Sequence, residues 1–152
     1  MTYEELLEES EEENLIVREK DIPGYDGRIY KNRIAIHKSI STQTEKACVL
    51  AEELGHHFTS IGDILDMSDT QNRKQERQAR LWGYNKLIGL RGLIFAFEHG
   101  CQGKHEIAEY LEVTEEFLQE CIDCYREKYG VAVTVDNYCI MFIPYLSVGK
   151  LL

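Results

Sequence analysis

Tyr3, Leu6 and Leu7 fall on one side of a helix, with glutamates filling the positions between them. This spacing predicts a short amphipathic helix over Tyr3 to Glu12. Leu15, Ile16 and Val17 read as a strand. Pro23-Gly24 and Asp26-Gly27 mark a loop. Arg28 to Tyr30 and Ile34 to His37 flank Lys31-Asn32-Arg33 as the arms of a hairpin, and Arg33 to His37 alternates as a half-buried strand does. Ser41 or Thr42 can cap the next helix, with Glu45 placed for a capping box on Thr42. That helix runs to about Phe58 and should bury Ala47, Leu50, Ala51, Leu54 and Phe58.

Ile61 to Thr70 reads as a loop or short turn. A second long helix follows from Arg73 to about Leu90, with Trp82 and Leu87 as anchors, and Leu93 to Phe97 continues as a short helix. His105 to Leu111 and Glu115 to Tyr129 form a helix pair broken at Val113-Thr114. Val131 to Val135 and Tyr138 to Ile143 form a hairpin across Asp136-Asn137, ended by Pro144. The segment from Arg91 to Gly103 fits either a flap or plain core. Helices and antiparallel strands that are not interleaved as βαβ units predict an α+β fold.

At 152 residues the chain suits one domain with one sizeable core. Its formal net charge is -10, which argues against nucleic acid and anionic membranes as main partners. No apolar run is long enough to span a bilayer, and the acidic N-terminus lacks the apolar segment of a signal peptide. Five cysteines, an odd count without an export signal, read as reduced thiols of a cytoplasmic protein. Cys121-x-x-Cys124 lies in a helical pattern with no second pair, so it reads as ordinary thiols.

The chemistry concentrates in CVLAEELGHHFTS, Cys48 to Ser60. Residues four apart share a helix face, so Glu52 and His56 point the same way and a metal fits between them. Glu53 stands one step round, where H-E-x-x-H enzymes carry the general base that activates water. Gly55 permits another element to approach closely. A second frame pairs Glu53 with His57, but its base position would be Leu54, which takes no proton. Glu76, on the following helix, is placed to add a third ligand as in the gluzincin arrangement, with Ala79 one turn further on. The bland alternative is a solvated acidic helix that happens to contain histidines.

The order of elements is more specific than any one of them. An I-A-I strand is followed by T-x-x-E-K-x-x-x-L-A-E-E-L-G-H-H, then Q-E-R-Q-A-R-x-W-x-Y, then the E-I-A-E-Y-L-x-V-T-E-E-F-L helix pair. This resembles the ImmA/IrrE family of metallopeptidases, in particular short phage or mobile-element members. The resemblance implies a compact zincin-like, gluzincin-type domain over residues 1–152: a catalytic part over 1–100, with a small sheet packed on the metal-binding helix, and a helix pair plus closing hairpin over 104–152. It implies zinc-dependent cleavage of a cytoplasmic regulatory protein, typically a helix-turn-helix repressor.

Carried over by position, the resemblance implies His56 as the second histidine ligand, Glu53 as general base and Glu76 as the glutamate ligand. Glu52 stands where the family carries its first histidine. His57 and His37 are site-lining residues at most, the latter at the end of a strand read as an edge. Such an edge, Ile34 to His37, would pair with the substrate backbone. Exchanging imidazole for carboxylate hardens the ligand set, makes manganese competitive with zinc and weakens the Lewis acid. A protease-fold antirepressor acting by contact alone is therefore the alternative function.

Glu106 to Glu116 resembles the start of a DNA-binding helix-turn-helix. Its second helix, however, begins with Glu115 and Glu116, which repel phosphates. Docking of a basic partner, such as the DNA-binding face of a repressor, suits it better.

Overall fold

The computed structural model describes residues 1–60 and 69–151. Two threonines start two of its helices. Thr2 accepts a hydrogen bond from the Glu5 backbone N–H (3.1 Å) and opens α1, Tyr3–Glu12. Thr42 does the same for Glu45 (3.1 Å) and opens α2, Gln43–Thr59. Each satisfies an otherwise orphaned N–H of the first turn.

Between these helices run β1 (Ile16–Lys20), β2 (Gly27–Tyr30) and β3 (Arg33–His37). β2 and β3 form the expected hairpin, and β1 pairs with β3 in parallel, giving the order β1-β3-β2. β3 is therefore the central strand and not an edge. Ile36, for example, faces Glu19 on one side and Gly27 on the other. The alternation that marks β3 reports which face is buried, with Ile34 and Ile36 2% and 0% exposed, and leaves open how many strands flank it. The strand read at Leu15 to Val17 supplies the second partner.

Five of the expected core positions behave unequally. Ala47, Leu50, Ala51 and Leu54 of α2 are buried, but Phe58 is 44% exposed and stacks on Trp82 at 5.1 Å between ring centroids. It falls in the last turn of α2.

The third helix, α3 (Asp69–Leu87), takes in Asp69 and Thr70 from the predicted loop; the rest of that loop, 61–68, lies outside the described residues. The chain divides into two compact units, Met1–Gly83 and Tyr84–Leu152. In the second unit stand α4 (Gly89–His99), α5 (Lys104–Leu111) and α6 (Glu115–Tyr129). Thr114 caps α6 by accepting from the Phe117 N–H at 3.0 Å. Leu93, Ala96, Ala108, Leu118, Cys121 and Tyr125 are buried, and the Tyr125 hydroxyl donates to Asn85 Oδ1 at 2.6 Å.

Arg91 to Gly103 is mostly helix α4, closed by Gly100 in the left-handed conformation (φ 92°), so the segment is a packed helix in the main. The predicted hairpin is present as β4 (Ala132–Val135) and β5 (Tyr138–Met141). The chain does not stop pairing at Pro144: β6 (Ser147–Lys150) returns to β5 and makes a second three-stranded antiparallel sheet. Six helices and two small sheets among the described residues make the chain α+β, as the sequence predicts. No described helix is long and apolar enough to cross a membrane.

Candidate metal centre

α2 and α3 meet through backbone. A Cβ built on Gly55 would stand 2.8 Å from the Ala79 carbonyl carbon, and one on Gly83 would stand 3.3 Å from the Ala51 carbonyl oxygen. Two glycines, each opposite an alanine, thus bring the helix axes together where any larger side chain would hold them apart. Both alanines are 0% exposed.

This approach sets Glu76 of α3 beside the Glu52/His56 face of α2. One donor atom from each of Glu52, His56 and Glu76 lies within 4.8 Å of the other two. His56 Nε2 is 3.4 Å from Glu76 Oε1. Two ligand atoms about 2.1 Å from one tetrahedral ion stand about 3.4 Å apart, so this pair needs no rearrangement to share a metal. Glu52 Oε1 is held instead by Arg80 Nε at 3.6 Å. The donor set of one imidazole and two carboxylates is chemically suited to a divalent cation, zinc among them.

Glu53 is turned inward, 8% exposed, and one of only two buried polar side chains among the described residues. Burial, then the charges of Glu52 and Glu76, push its carboxyl up to about 7. Gly27 of β2 lies over it: a Cβ there would come within 3.0 Å of Glu53 Cγ and 3.2 Å of Glu53 Oε1. An edge strand, a buried carboxyl and a cluster of three donors therefore occupy one place. Crowded carboxylates whose charges raise a neighbour's proton affinity are a setting in which a bound cation is favourable.

The other histidines of the sequence reading are placed elsewhere. His57 packs edge-on against Phe58, ring centroids 4.9 Å apart. His37 Nε2 is 3.5 Å from Asp21, and its Nδ1 accepts from the Ser39 N–H at 3.1 Å. Neither joins the three-residue cluster. Two residues escaped the sequence reading. Arg80 was discoverable, since it follows Glu76 by four and so shares its helix face. Gly27 was not, because its closeness to Glu53 depends on tertiary packing of β2 on α2.

No curated protein matches the chain, and no solved structure does. The model of the IrrE N-terminal-like domain, peptidase family M78, matches residues 7–122. That span covers both helices of the cluster, the sheet before them and most of α6. The chain belongs to the IrrE N-terminal-like peptidase family, the one its sequence resembles.

Proposed function

We propose that the protein is a metal-dependent endopeptidase acting on a cytoplasmic regulatory protein, a helix-turn-helix repressor of a phage or mobile element being the best-fitting class of target. The observation that carries this is the convergence of Glu52, His56 and Glu76 beside the buried Glu53. Family membership supports the same reading.

His56 and Glu76 would hold the metal, with Glu52 joining once released by Arg80. Zinc suits the site, and the two carboxylates make manganese a competitor. The ion supplies Lewis acidity toward the scissile carbonyl and toward water. Glu53 is the proton carrier. Its buried carboxyl stands beside the donor cluster, placed to take a proton from water and return it to a leaving amine. Among the described residues β2, and not β3, is the strand with a free edge beside Glu53. Strand addition of the substrate backbone falls to β2, which Gly27 lets lie directly against the Glu53 side chain. In the other unit, the first turn of α6 exposes Glu115 and Glu116, which suits a basic protein partner and weakens with salt.

Elemental mass spectrometry on protein purified without chelator tests the site. About one zinc or manganese per chain, lost in Glu76→Ala, is expected of a three-donor centre. Digestion of a peptide library by the loaded protein, read by mass spectrometry, tests the activity. Products formed by wild type and absent with an equally loaded Glu53→Gln variant are expected. Absence of metal from both proteins overturns the reading.

A further inference from the structure

The β1-β3-β2 sheet has one face on α2 and another open to solvent. Strand alternation decides which side chains meet the solvent. Ile34 and Ile36 point inward and are buried. Arg18, Lys20, Arg28, Tyr30 and Arg33 point outward and are exposed. In register, Arg18 and Arg28 stand on either side of Ala35. The small methyl group makes a floor between two guanidinium side chains, two strand spacings or about 10 Å apart.

This face forms a hollow of about 410 Å³ whose lining, among the described residues, holds four cationic side chains and no acidic one. That is a reversal of the chain as a whole, in which 27 acidic residues outnumber 17 basic ones. Two of the carboxylates nearest in sequence are paired: Glu19 with Lys46 of α2 at 2.6 Å, and Asp21 with His37. Arg18, Lys20, Arg28 and Arg33 make no ion pair among the described residues. Arg28 is instead laid over the Tyr25 ring at 4.8 Å, which restrains it without neutralising it.

We infer that this outer face docks an acidic, extended segment of a protein partner. Arg18 and Lys20 repeat at every second residue of β1, about 7 Å apart, which is the spacing of same-side carboxylates on an extended peptide. Length separates such a segment from nucleic acid. The cationic area is only three strands wide. α1, packed beside β1, exposes Glu4, Glu5, Glu8, Glu11 and Glu12. A long polyanion would run past this patch onto the surface of a chain whose net charge is -10, whereas a short acidic peptide ends within it. The docking surface is built from side chains pointing away from α2 and is independent of the metal centre.

Fluorescence anisotropy with a labelled peptide of alternating Glu and Thr, titrated with the full chain, tests this. Saturable binding that weakens as salt rises is expected, together with no binding of the same peptide carrying Gln for Glu. In R18E/R28E the affinity falls at least about tenfold, while R18K/R28K retains it. Both positions are exposed, so the fold is preserved; if the charge reversal lowers the melting midpoint, R18Q/R28Q takes its place. Binding by metal-stripped protein equals that by loaded protein, which separates this surface from the peptidase site. Unchanged affinity in the double variant, or no saturable binding by wild type, overturns the inference. Tighter binding of oligothymidylate than of the Glu peptide overturns it in favour of nucleic acid. Self-association abolished by R18E/R28E overturns it in favour of a second copy of this chain.

Discussion

Gly55 on α2 rests against the backbone of Ala79 on α3, so close that an added Cβ would lie 2.8 Å from the Ala79 carbonyl carbon. The three candidate ligands are arranged about this contact: His56 is the next residue along α2, and Glu76 is one turn back along α3. Gly55→Ala is therefore expected to destabilise the fold, although alanine is the better helix former by about 1 kcal/mol. Overpacking against backbone costs about 1–3 kcal/mol before that gain is subtracted, and α3 must move outward to relieve it. Urea unfolding gives the stability loss. Metal titration gives a second reading, since moving α3 separates Glu76 from His56 and weakens binding.

Glu53 sets the pH dependence of the metal-free protein. Its folded pKa of about 7 lies above the ordinary carboxyl value of 4.5. Between those values the folded state holds a proton that the unfolded state has released. Stability thus falls as pH rises through this window, and the loss is complete above it. Glu53→Gln removes the penalty. The variant's gain over wild type should grow from pH 4.5 and reach about 3 kcal/mol above pH 7. Denaturant melts at several pH values, after chelation, read this directly; parallel pH curves for the two proteins would contradict it.

In the proposed centre Arg80 would compete with a metal for Glu52. The pair is 3.6 Å long and 58% and 41% exposed at its two side chains, so its loss should change stability by less than about 1 kcal/mol. Removing a fixed positive charge beside a cation site has a larger effect on binding. Arg80→Ala should bind zinc and manganese several-fold more tightly by calorimetry. Weaker binding in the variant would mean that Arg80 orients Glu52 for the metal and does not withhold it.

Glu52→His replaces the harder donor with an imidazole at the same place on the helix face. Zinc should gain over manganese by about tenfold or more in competition titrations, because imidazole favours the borderline ion. Arg80 loses only an exposed partner, so the melting midpoint should move little.

The helices were legible because their signals are local. Thr42 with Glu45 marks where α2 begins, and the Ala47–Leu50–Ala51–Leu54 stripe marks what it buries. The nearness of Glu76 to His56 was legible as well, through helix faces and small residues. The misplacement of β3 at an edge has a different origin. Strand alternation tells which side chains face inward, but not whether one neighbour or two complete the backbone pairing. β6 was missed for a related reason: Ser147, Gly149 and Lys150 carry no apolar alternation, and the strand is held by pairing with β5. Phe58 shows the limit of a helical stripe: it shares the apolar face, yet its aromatic partners among the described residues are His57 and Trp82 and it stays 44% exposed. Arg18 and Arg28 are far apart in sequence, and only the order β1-β3-β2 puts them across one alanine.

The glycine–alanine contacts between α2 and α3 separate two tasks that most binding sites merge. Where side chains both space the helices and bind the ligand, changing one disturbs the other. Here the spacing is set by main chain at Gly55–Ala79 and Gly83–Ala51, and Glu52, His56 and Glu76 are left to chemistry alone. Donor identity can drift in such a frame, histidine to glutamate included, with no demand on the core to repack. A metal preference set by these three donors would in that sense be a replaceable part, fitted to a chassis that does not register the exchange.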